Sequence, residues 1–277
     1  MDAAVETFAS DTIATSPAEK VAALSSLPAR FSIAATSAMP ASMPFLAPFS
    51  LTGISLGGIW RSAADTQIAE NGSGQLTGSV IASSYRQLNS STTVWGHADF
   101  TAGKLRGITW SNSADYSVVG PYVFGDSVGG DLVRRQYTFS GGYAGRKNGW
   151  TWGIEADYRA CLDYRARDPR DKIVVSDLNG KLSASRRIGS FPLAIGLGGA
   201  IRVYNQTASV EFYNPLTDIT MYMMTGLGTT YKRFSGNSGK SIAHTGFGWN
   251  VTASLFQIAG VPDRFYLNLD GGNIHLR

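Results

Sequence analysis

The residue types that commonly carry out chemistry are few in this sequence, and their spacing matches no catalytic motif. The chain has three histidines, His97, His244 and His275, and a single cysteine, Cys161. A serine hydrolase needs a serine, a histidine base and an orienting polar residue, and neither His97 nor His244 lies in a Gly-x-Ser-x-Gly segment. The sequence also lacks the His-x-x-x-His and paired-cysteine spacings of zinc sites. We therefore expect no catalytic residue, no metal site and no cofactor.

Five charged residues form a different pattern, because they alternate with apolar side chains. They are Glu155, Asp157, Arg159, Lys181 and Arg202. Residues two apart lie on the same face of a β-strand, so in a barrel these five side chains would point into the lumen. There they would either select a solute or form a salt-bridged network that fills the interior. We favour the network, because barrel interiors hold polar residues in any case.

Segments with this alternation recur along the chain and predict an all-β protein. We expect about eleven strands, at residues 51–60, 74–87, 91–101, 104–114, 132–144, 150–162, 173–186, 193–204, 219–232, 241–256 and 264–270. Many exceed the roughly 5–6 residues usual in soluble proteins and reach the roughly 9–11 residues that cross an outer membrane. The sequence therefore predicts an antiparallel up-and-down transmembrane β-barrel.

The composition suits such a chain and argues against two other classes. Charged residues make up 16% of the 277 residues, below the roughly 25% usual in soluble domains, and 32 residues are glycine. No apolar run approaches the roughly 18 residues of a membrane helix, which excludes a helical membrane protein. The net charge is only +4, without the basic stripe that nucleic-acid binding needs, so we expect no nucleic-acid partner.

Aromatic residues near the predicted strand ends have two interpretations. In an outer-membrane barrel, aromatic girdles mark the two membrane interfaces, whereas in a soluble sandwich the same residues would form the core. Core aromatics would cluster in the middle of strands, so we favour the girdle. The residues assigned to it are Tyr143, Trp150, Trp152, Tyr158, Tyr164 and Trp249.

The chain divides into an N-terminal extension, residues 1–50, and a β-barrel, residues 51–277. The extension is rich in alanine, serine and threonine, with a short helix expected at residues 17–24 and irregular structure around Pro40, Pro44 and Pro48. Its first residues lack the basic and apolar regions of a signal peptide, so we expect none within this sequence. Because bacterial barrels have even strand numbers, eleven strands predict an incomplete barrel that is truncated at its C-terminus.

Five stretches combine glycines, aromatic residues and charges in a distinctive order. They are residues 120–131 (GPYVFGDSVGGD), 136–143 (QYTFSGGY), 150–159 (WTWGIEADYR), 164–170 (YRARDPR) and 224–236 (MTGLGTTYKRFSG). Together they resemble a family of uncharacterised outer-membrane β-barrel proteins of Bacteroidetes-type bacteria, catalogued as a domain of unknown function. The resemblance covers about residues 50–277. It implies a barrel fold in the bacterial outer membrane, but no activity and no functional residues.

Three functions remain open, and we favour the first. It is a non-enzymatic outer-membrane barrel for passive passage or binding of a solute, or a scaffold of a surface complex. Its partners would be outer-membrane lipid, the barrel-assembly machinery or a surface lipoprotein. The second is a soluble carbohydrate-binding or adhesive module, in which exposed Trp60, Trp95 and Trp110 stack on sugars. The third is an outer-membrane hydrolase that uses His97 or His244.

Overall fold

The structure is a computed structural model that describes residues 39–45, 50–63, 68–214, 216–235, 239–258 and 266–277. The helix expected at residues 17–24 lies outside these ranges, as does most of the N-terminal extension. Residues Pro40–Phe45 form a 3-10 helix where we had expected irregular structure, since the fixed φ of proline is compatible with a helical turn. Within the described ranges, no helix is long and apolar enough to cross a membrane.

The described chain is an antiparallel all-β structure, which confirms the predicted fold class at that level. The strands are β1 (Leu51–Ser62), β2 (Gly74–Asn89), β3 (Thr92–Ile108), β4 (Phe124–Gly125), β5 (Gly130–Lys147), β6 (Trp150–Tyr164), β7 (Arg170–Arg187), β8 (Leu193–Glu211), β9 (Thr220–Gly226), β10 (Thr229–Ser235), β11 (Lys240–Gln257) and β12 (Tyr266–Leu276). A short helix, α1 (Tyr116–Val119), precedes β4, and a 3-10 turn (Ala69–Asn71) precedes β2. Nine strands form one sheet in the order β1-β2-β3-β5-β6-β7-β8-β11-β12, and β10-β9-β4 form a second.

Two of the predicted strand boundaries are wrong, each for a local reason. The strands expected at 91–101 and 104–114 are one strand, β3, because β2 pairs with every residue from 92 to 106. On its other edge, where β3 pairs with β5, the register shifts between Leu105 and Ile108. The strand expected at 219–232 is instead the hairpin β9–β10. Positive φ at Gly226, Leu227 and Gly228 forms its turn, a conformation that glycine adopts without strain.

The nine-stranded sheet has one apolar face and one polar face, and their burial is the opposite of that in soluble proteins. The outer face is apolar and exposed: Leu182 is 65% and Leu197 62% accessible. The inner face is polar and buried: Glu155 is 5% and Lys181 4% accessible. In soluble proteins apolar side chains are the buried ones and lysine or glutamate is almost never fully buried unless paired, so the sheet has its charges inside and its apolar residues outside.

The sheet curls around its inner face. Tyr85 on β2 donates a hydrogen bond to the carbonyl of Met43 at 2.9 Å, while Phe256 on β11 lies with its ring centroid 5.8 Å from that of Phe45. In a flat sheet, β2 and β11 would be about 29 Å apart at the usual strand spacing, being six positions apart in the strand order. Residues 43 and 45 span only about 7 Å. The strands between β2 and β11 must therefore wrap around this segment.

The two edges of the sheet, β1 and β12, run in the same direction. Each strand is antiparallel to its neighbour through eight successive pairings, so the first and ninth strands point the same way. Within the described residues β1 and β12 do not pair with each other. An antiparallel closure between them would need at least one further strand.

Candidate functional site

The structure places all five predicted charged residues on the inner face of three adjacent strands. Glu155, Asp157 and Arg159 lie on β6, Lys181 lies on β7, and Arg202 lies on β8. The register sets Glu155 opposite Lys181 and Arg202 opposite Asn179 on β7. The period of two puts the residues on one face, and the strand register then brings them within contact distance of each other.

Lys181 is the centre of the first part of this charged network. Its Nζ lies 2.8 Å from Oε1 of Glu155 and 3.0 Å from Oδ2 of Asp157. The indole Nε1 of Trp95, on β3, donates a hydrogen bond of 2.6 Å to Oε2 of Glu155. One buried cation thus pairs with two carboxylates, and Trp95 donates to the other oxygen of Glu155, so each buried charge has a partner, as its burial requires.

Asp177 on β7 joins the other two cations into the second part of the network. Arg202 donates to both of its carboxylate oxygens at 2.8 Å, and Arg159 approaches it at 3.2 Å. Arg159 also pairs with Asp115, whose carboxylate accepts a hydrogen bond of 2.9 Å from the hydroxyl of Tyr204. Bidentate arginine–carboxylate pairs of this kind are both strong and geometrically specific.

Sequence analysis missed Trp95, Asp115, Asp177 and Tyr204 as members of this network. Asp177 lies opposite Arg159 in the register, so the alternation within β7 carried a usable signal for it. Asp115 belongs to the loop between β3 and β5 and reaches Arg159 across a sequence separation of 44 residues. No local pattern could have indicated that contact.

A third group of charges lies further along the same face, toward β5 and the β6–β7 loop. Arg165 pairs with Asp126 at 3.0 Å and with Asp171 at 2.9 Å, and all three side chains are buried. Asn112 donates a hydrogen bond of 3.1 Å to Asp171. These contacts tie the β3–β5 loop, which contributes Asn112 and Asp126, to the start of β7.

Two chain segments occupy the inside of the curled sheet, one at each end. We call residues 39–45 the plug and residues 109–129 the lid. Two hydrogen bonds hold the plug: the amide of Ala41 donates to Ser183 Oγ at 2.7 Å, and the hydroxyl of Tyr85 donates to the carbonyl of Met43. The lid is held by the charged contacts just described and by Gln206, whose Oε1 accepts from the amide of Ala114 at 3.2 Å.

The lid is also packed by apolar contacts. Val119 and Val123 of the lid cluster with Cys161, Val175 and Tyr204 on the inner face. Beyond them, the second sheet packs Phe124, Met221 and Met223 against Val210. This end of the interior is therefore filled by side chains, while the other end is filled by the plug.

A cavity of about 400 Å³ lies on the inner face between the plug and the lid. Its lining comes from β7, β8, β11 and β12 and includes Lys181 and Arg202 of the charged network. Along β8 the inner-face residues run from Gly196, which lies against Met39 of the plug, through the cavity to Tyr204, which contacts the lid.

The six predicted interface aromatics all project from the outer face, but they do not all lie at strand ends. Trp150 and Trp152 lie at the start of β6, and Tyr143 packs on Trp152 with ring centroids 5.3 Å apart. Tyr164 is the last residue of β6. Tyr158 lies near the middle of β6, so the expectation that it lies near a strand end is wrong. Trp249 lies near the middle of β11, as it does in the strand predicted at residues 241–256. Their assignment to a membrane interface stays a prediction.

The histidines do not assemble a hydrolytic site. His97 Nδ1 lies 3.0 Å from Ser83 Oγ, a pair on adjacent strands that sequence analysis did not identify. Asp99 instead accepts a hydrogen bond from Thr101, so within the described residues no carboxylate orients His97 as a triad requires. His244 Nε2 contacts the carbonyl of Tyr122 at 2.9 Å and thereby ties the lid to β11.

Within the described ranges, no three His, Cys, Asp or Glu side chains gather where they could hold a metal ion. Asp126 illustrates the alternative use of a carboxylate in a glycine-rich turn: it accepts a hydrogen bond of 2.7 Å from the amide of Gly129 and pairs with Arg165. Both contacts are structural.

Comparison with known proteins identifies a family but no activity. The model of DUF6850, a family of unknown function, matches residues 40–274, and the chain therefore belongs to this family. No curated protein matches the chain. The match agrees with the resemblance to a family of unknown function, whereas the barrel fold and the bacterial group implied by that resemblance stay predictions.

Proposed function

We propose that this member of the DUF6850 family forms the wall of a bacterial outer-membrane β-barrel and has a non-enzymatic role, either binding a polar solute or supporting a surface complex. The observation that carries the proposal is the reversed distribution of residues on the nine-stranded sheet. Its exposed face is apolar and its buried face is charged. Lipid around the sheet and a polar interior within it would satisfy both faces, as in known outer-membrane barrels.

The width of the apolar outer face supports this proposal. On β7 the outward positions from Val174 to Ala184 lack charge, and Lys172 and Arg186 flank them. This stretch of eleven residues matches the roughly 9–11 residues with which a strand crosses the hydrocarbon layer. Lysine and arginine at its two ends can extend their charged groups into the interface.

The same arrangement recurs on β5, two strands away. There the outward positions from Tyr137 to Gly145 lack charge, between Arg135 and Lys147. A soluble protein rarely exposes a contiguous apolar area of this extent. Repetition of the band on separate strands favours a continuous lipid-facing belt over scattered surface residues.

The filled interior favours solute binding or scaffolding over free passage. The plug closes one end through Ala41 and Met43, and the lid closes the other through Asp115 and Val119. An open porin would need a continuous water-filled channel. A surface lipoprotein or another surface partner would meet the lid end, where Tyr213, Leu216 and Leu227 are exposed.

The soluble carbohydrate-binding alternative loses most of its basis. Of the three tryptophans expected to stack on sugars, Trp60 is 78% accessible, but Trp95 is only 6% accessible and donates its indole N–H to Glu155. Trp110 packs against Tyr222, with ring centroids 5.6 Å apart. The expectation that Trp95 is exposed is therefore wrong, because a buried carboxylate needs its N–H group.

Spin labels on β8 test the proposal directly. In a Cys161→Ser background, single cysteines at positions 195 to 203 are labelled after reconstitution into phospholipid vesicles. Outward positions such as Leu197 and Ile201 are expected to collide with oxygen, which concentrates in lipid. Inward positions such as Gly198 and Arg202 are expected to be shielded from it.

The resulting profile alternates with a period of two if the outer face meets lipid. Strong collision of the labels at both Leu197 and Ile201 with a water-soluble nickel chelate, together with recovery of the protein in solution without detergent, would overturn the proposal. Migration on a denaturing gel gives a second readout, because a folded outer-membrane barrel migrates differently before and after heating.

A further inference from the structure

The cavity between the plug and the lid has the composition of a site for a small polar solute. Its volume of about 400 Å³ falls in the lower part of the range of roughly 300–1,000 Å³ found for ligand pockets. Its lining comes from four adjacent strands of the sheet: β7 and β8 contribute the charged residues, and β11 and β12 lie beside them. The inward residues that line it include Asn179, Lys181, Ala200, Arg202, Asn250 and Ile274.

Space remains beside the charged residues because two inward positions of β11 and β12, Gly248 and Gly272, have no side chain. A Cβ atom at Gly272 would lie 2.5 Å from the carbonyl oxygen of Trp249, and one at Gly248 would lie 3.2 Å from that of Asn273. A side chain at Gly272 would therefore clash with the backbone of β11, whereas one at Gly248 would need a shift of a few tenths of an ångström.

Polar groups that lack a protein partner face this space. Within the described residues, the amide of Asn179 makes no side-chain hydrogen bond. Asn250 uses its oxygen to accept from Thr252 at 2.9 Å, which leaves its NH₂ group available. Arg202 uses Nε and Nη2 on Asp177 and keeps Nη1. Hydrogen-bond donors and acceptors therefore remain for a ligand.

The charged side chains around the cavity already pair with one another. Lys181 is held by Glu155 and Asp157, and Arg202 is held by Asp177. With the adjoining Arg159–Asp115 pair, the group has three cations and four carboxylates, hence one net negative charge. An anion entering the cavity would meet no unpaired cation and a slight repulsion.

We propose that this cavity binds an uncharged, hydroxyl-rich solute of monosaccharide or disaccharide size. Hydroxyl groups both donate and accept, so they match the amides of Asn179 and Asn250 and the free N–H groups of Arg202 without bringing a charge. The inference deepens the solute-binding role proposed above and rests on it.

Titration calorimetry on the full chain in detergent micelles tests the site. The probes are glucose and maltose as neutral sugars, gluconate as an anion and glucosamine as a cation. Ala200→Leu places a larger side chain in the cavity, and Asn179→Leu removes a hydrogen-bonding amide. Ala253→Leu is the matched control, because Ala253 lies on the outer face of β11.

At least one neutral sugar is expected to bind, and gluconate is expected to bind about tenfold more weakly. Ala200→Leu is expected to weaken sugar binding by about tenfold or more, and Asn179→Leu by about three- to tenfold. The control variant is expected to bind like the wild-type chain.

The inference is overturned if neither neutral sugar gives heat at about 50 mM, a concentration far above millimolar dissociation constants. It is equally overturned if gluconate or glucosamine binds more tightly than the sugars, or if Ala200→Leu has no effect. The spin-label profile separates this failure from that of the proposed function. Alternating lipid exposure without sugar binding refutes the cavity alone, whereas sugar binding with water-exposed labels refutes the membrane location alone.

Discussion

Replacing Leu197 with arginine distinguishes a lipid-facing sheet from a water-facing one. Leu197 lies on the outer face of β8 and is 62% accessible, so a longer side chain would displace no packed neighbour. If the outer face met water, a substitution at such an exposed position would change the free energy of unfolding by no more than about 0.5 kcal/mol. A larger loss would have to come from the environment of the face.

The size of the expected loss follows from the position of Leu197 within the apolar band. The outward positions of β8 are apolar from Leu193 to Val203, a stretch of eleven residues, and polar from residue 205 onward. At about 3.3 Å per residue this stretch is roughly 33 Å long, and a strand tilt of about 40° reduces its height to roughly 25 Å, the thickness of the apolar belt of such barrels. Leu197 lies near its middle, where an arginine costs about 2–4 kcal/mol.

The assay is reversible urea unfolding in phosphatidylcholine vesicles, followed by tryptophan fluorescence. Thr207→Arg is the matched control, because Thr207 is on the same face of the same strand but beyond the apolar band. Its expected cost is about 0–1 kcal/mol. Equal unfolding free energies for the two variants, both within about 0.5 kcal/mol of wild type, would refute the lipid-facing assignment.

Three further changes probe the interior and the lid end. Lys181→Met is expected to lower the free energy of unfolding by about 3–5 kcal/mol, because it leaves the carboxylates of Glu155 and Asp157 without their cation. Gly153→Ala is expected to cost about 1–3 kcal/mol, since its Cβ would lie 2.6 Å from the carbonyl carbon of Pro40 in the plug. Hydrogen bonds from the amides of Asn214 and Tyr213 lower the pKa of Asp168. The ionised carboxylate therefore stabilises the folded state fully above its unfolded pKa of about 3.9, and this stabilisation is lost as the pH falls through the lower folded pKa. Asp168→Asn is expected to flatten this loss of unfolding free energy, measured by urea titrations between about pH 2 and pH 6.

Each of these changes has a control in a comparable position. Lys172→Met removes an exposed lysine from the same strand as Lys181, and a cost as large as that of Lys181→Met would argue against the network as the cause. Gly180→Ala places a methyl group 3.7 Å from Ile201, in ordinary contact, and is expected to be near neutral. Asp218→Asn alters an exposed carboxylate at the lid end, and an acid profile like that of Asp168→Asn would contradict the role of the amide hydrogen bonds.

Much of the wall of this protein was predictable from its sequence. The alternation in Trp150–Tyr164 assigns Trp152 to one face and Glu155 to the other, and the structure places them there. Turns were also visible, such as Asn148–Gly149 between β5 and β6, where both residues have positive φ. Such features depend on neighbours within a few residues, and the period of a strand records them directly.

The sequence by itself determined that this chain is an antiparallel β-structure with charges on one face and apolar residues on the other. Only the tertiary structure decided what the charged face does. Asp115 of the lid contacts Arg159 and Tyr204, and Met43 of the plug accepts a hydrogen bond from Tyr85, although these partners are far apart in the chain. Strand periodicity carries no information about which loop returns to the inner face, because that choice depends on the register and curl of the whole sheet. The plug, the lid, the paired charges and the cavity between plug and lid all depend on these segments lying against the inner face.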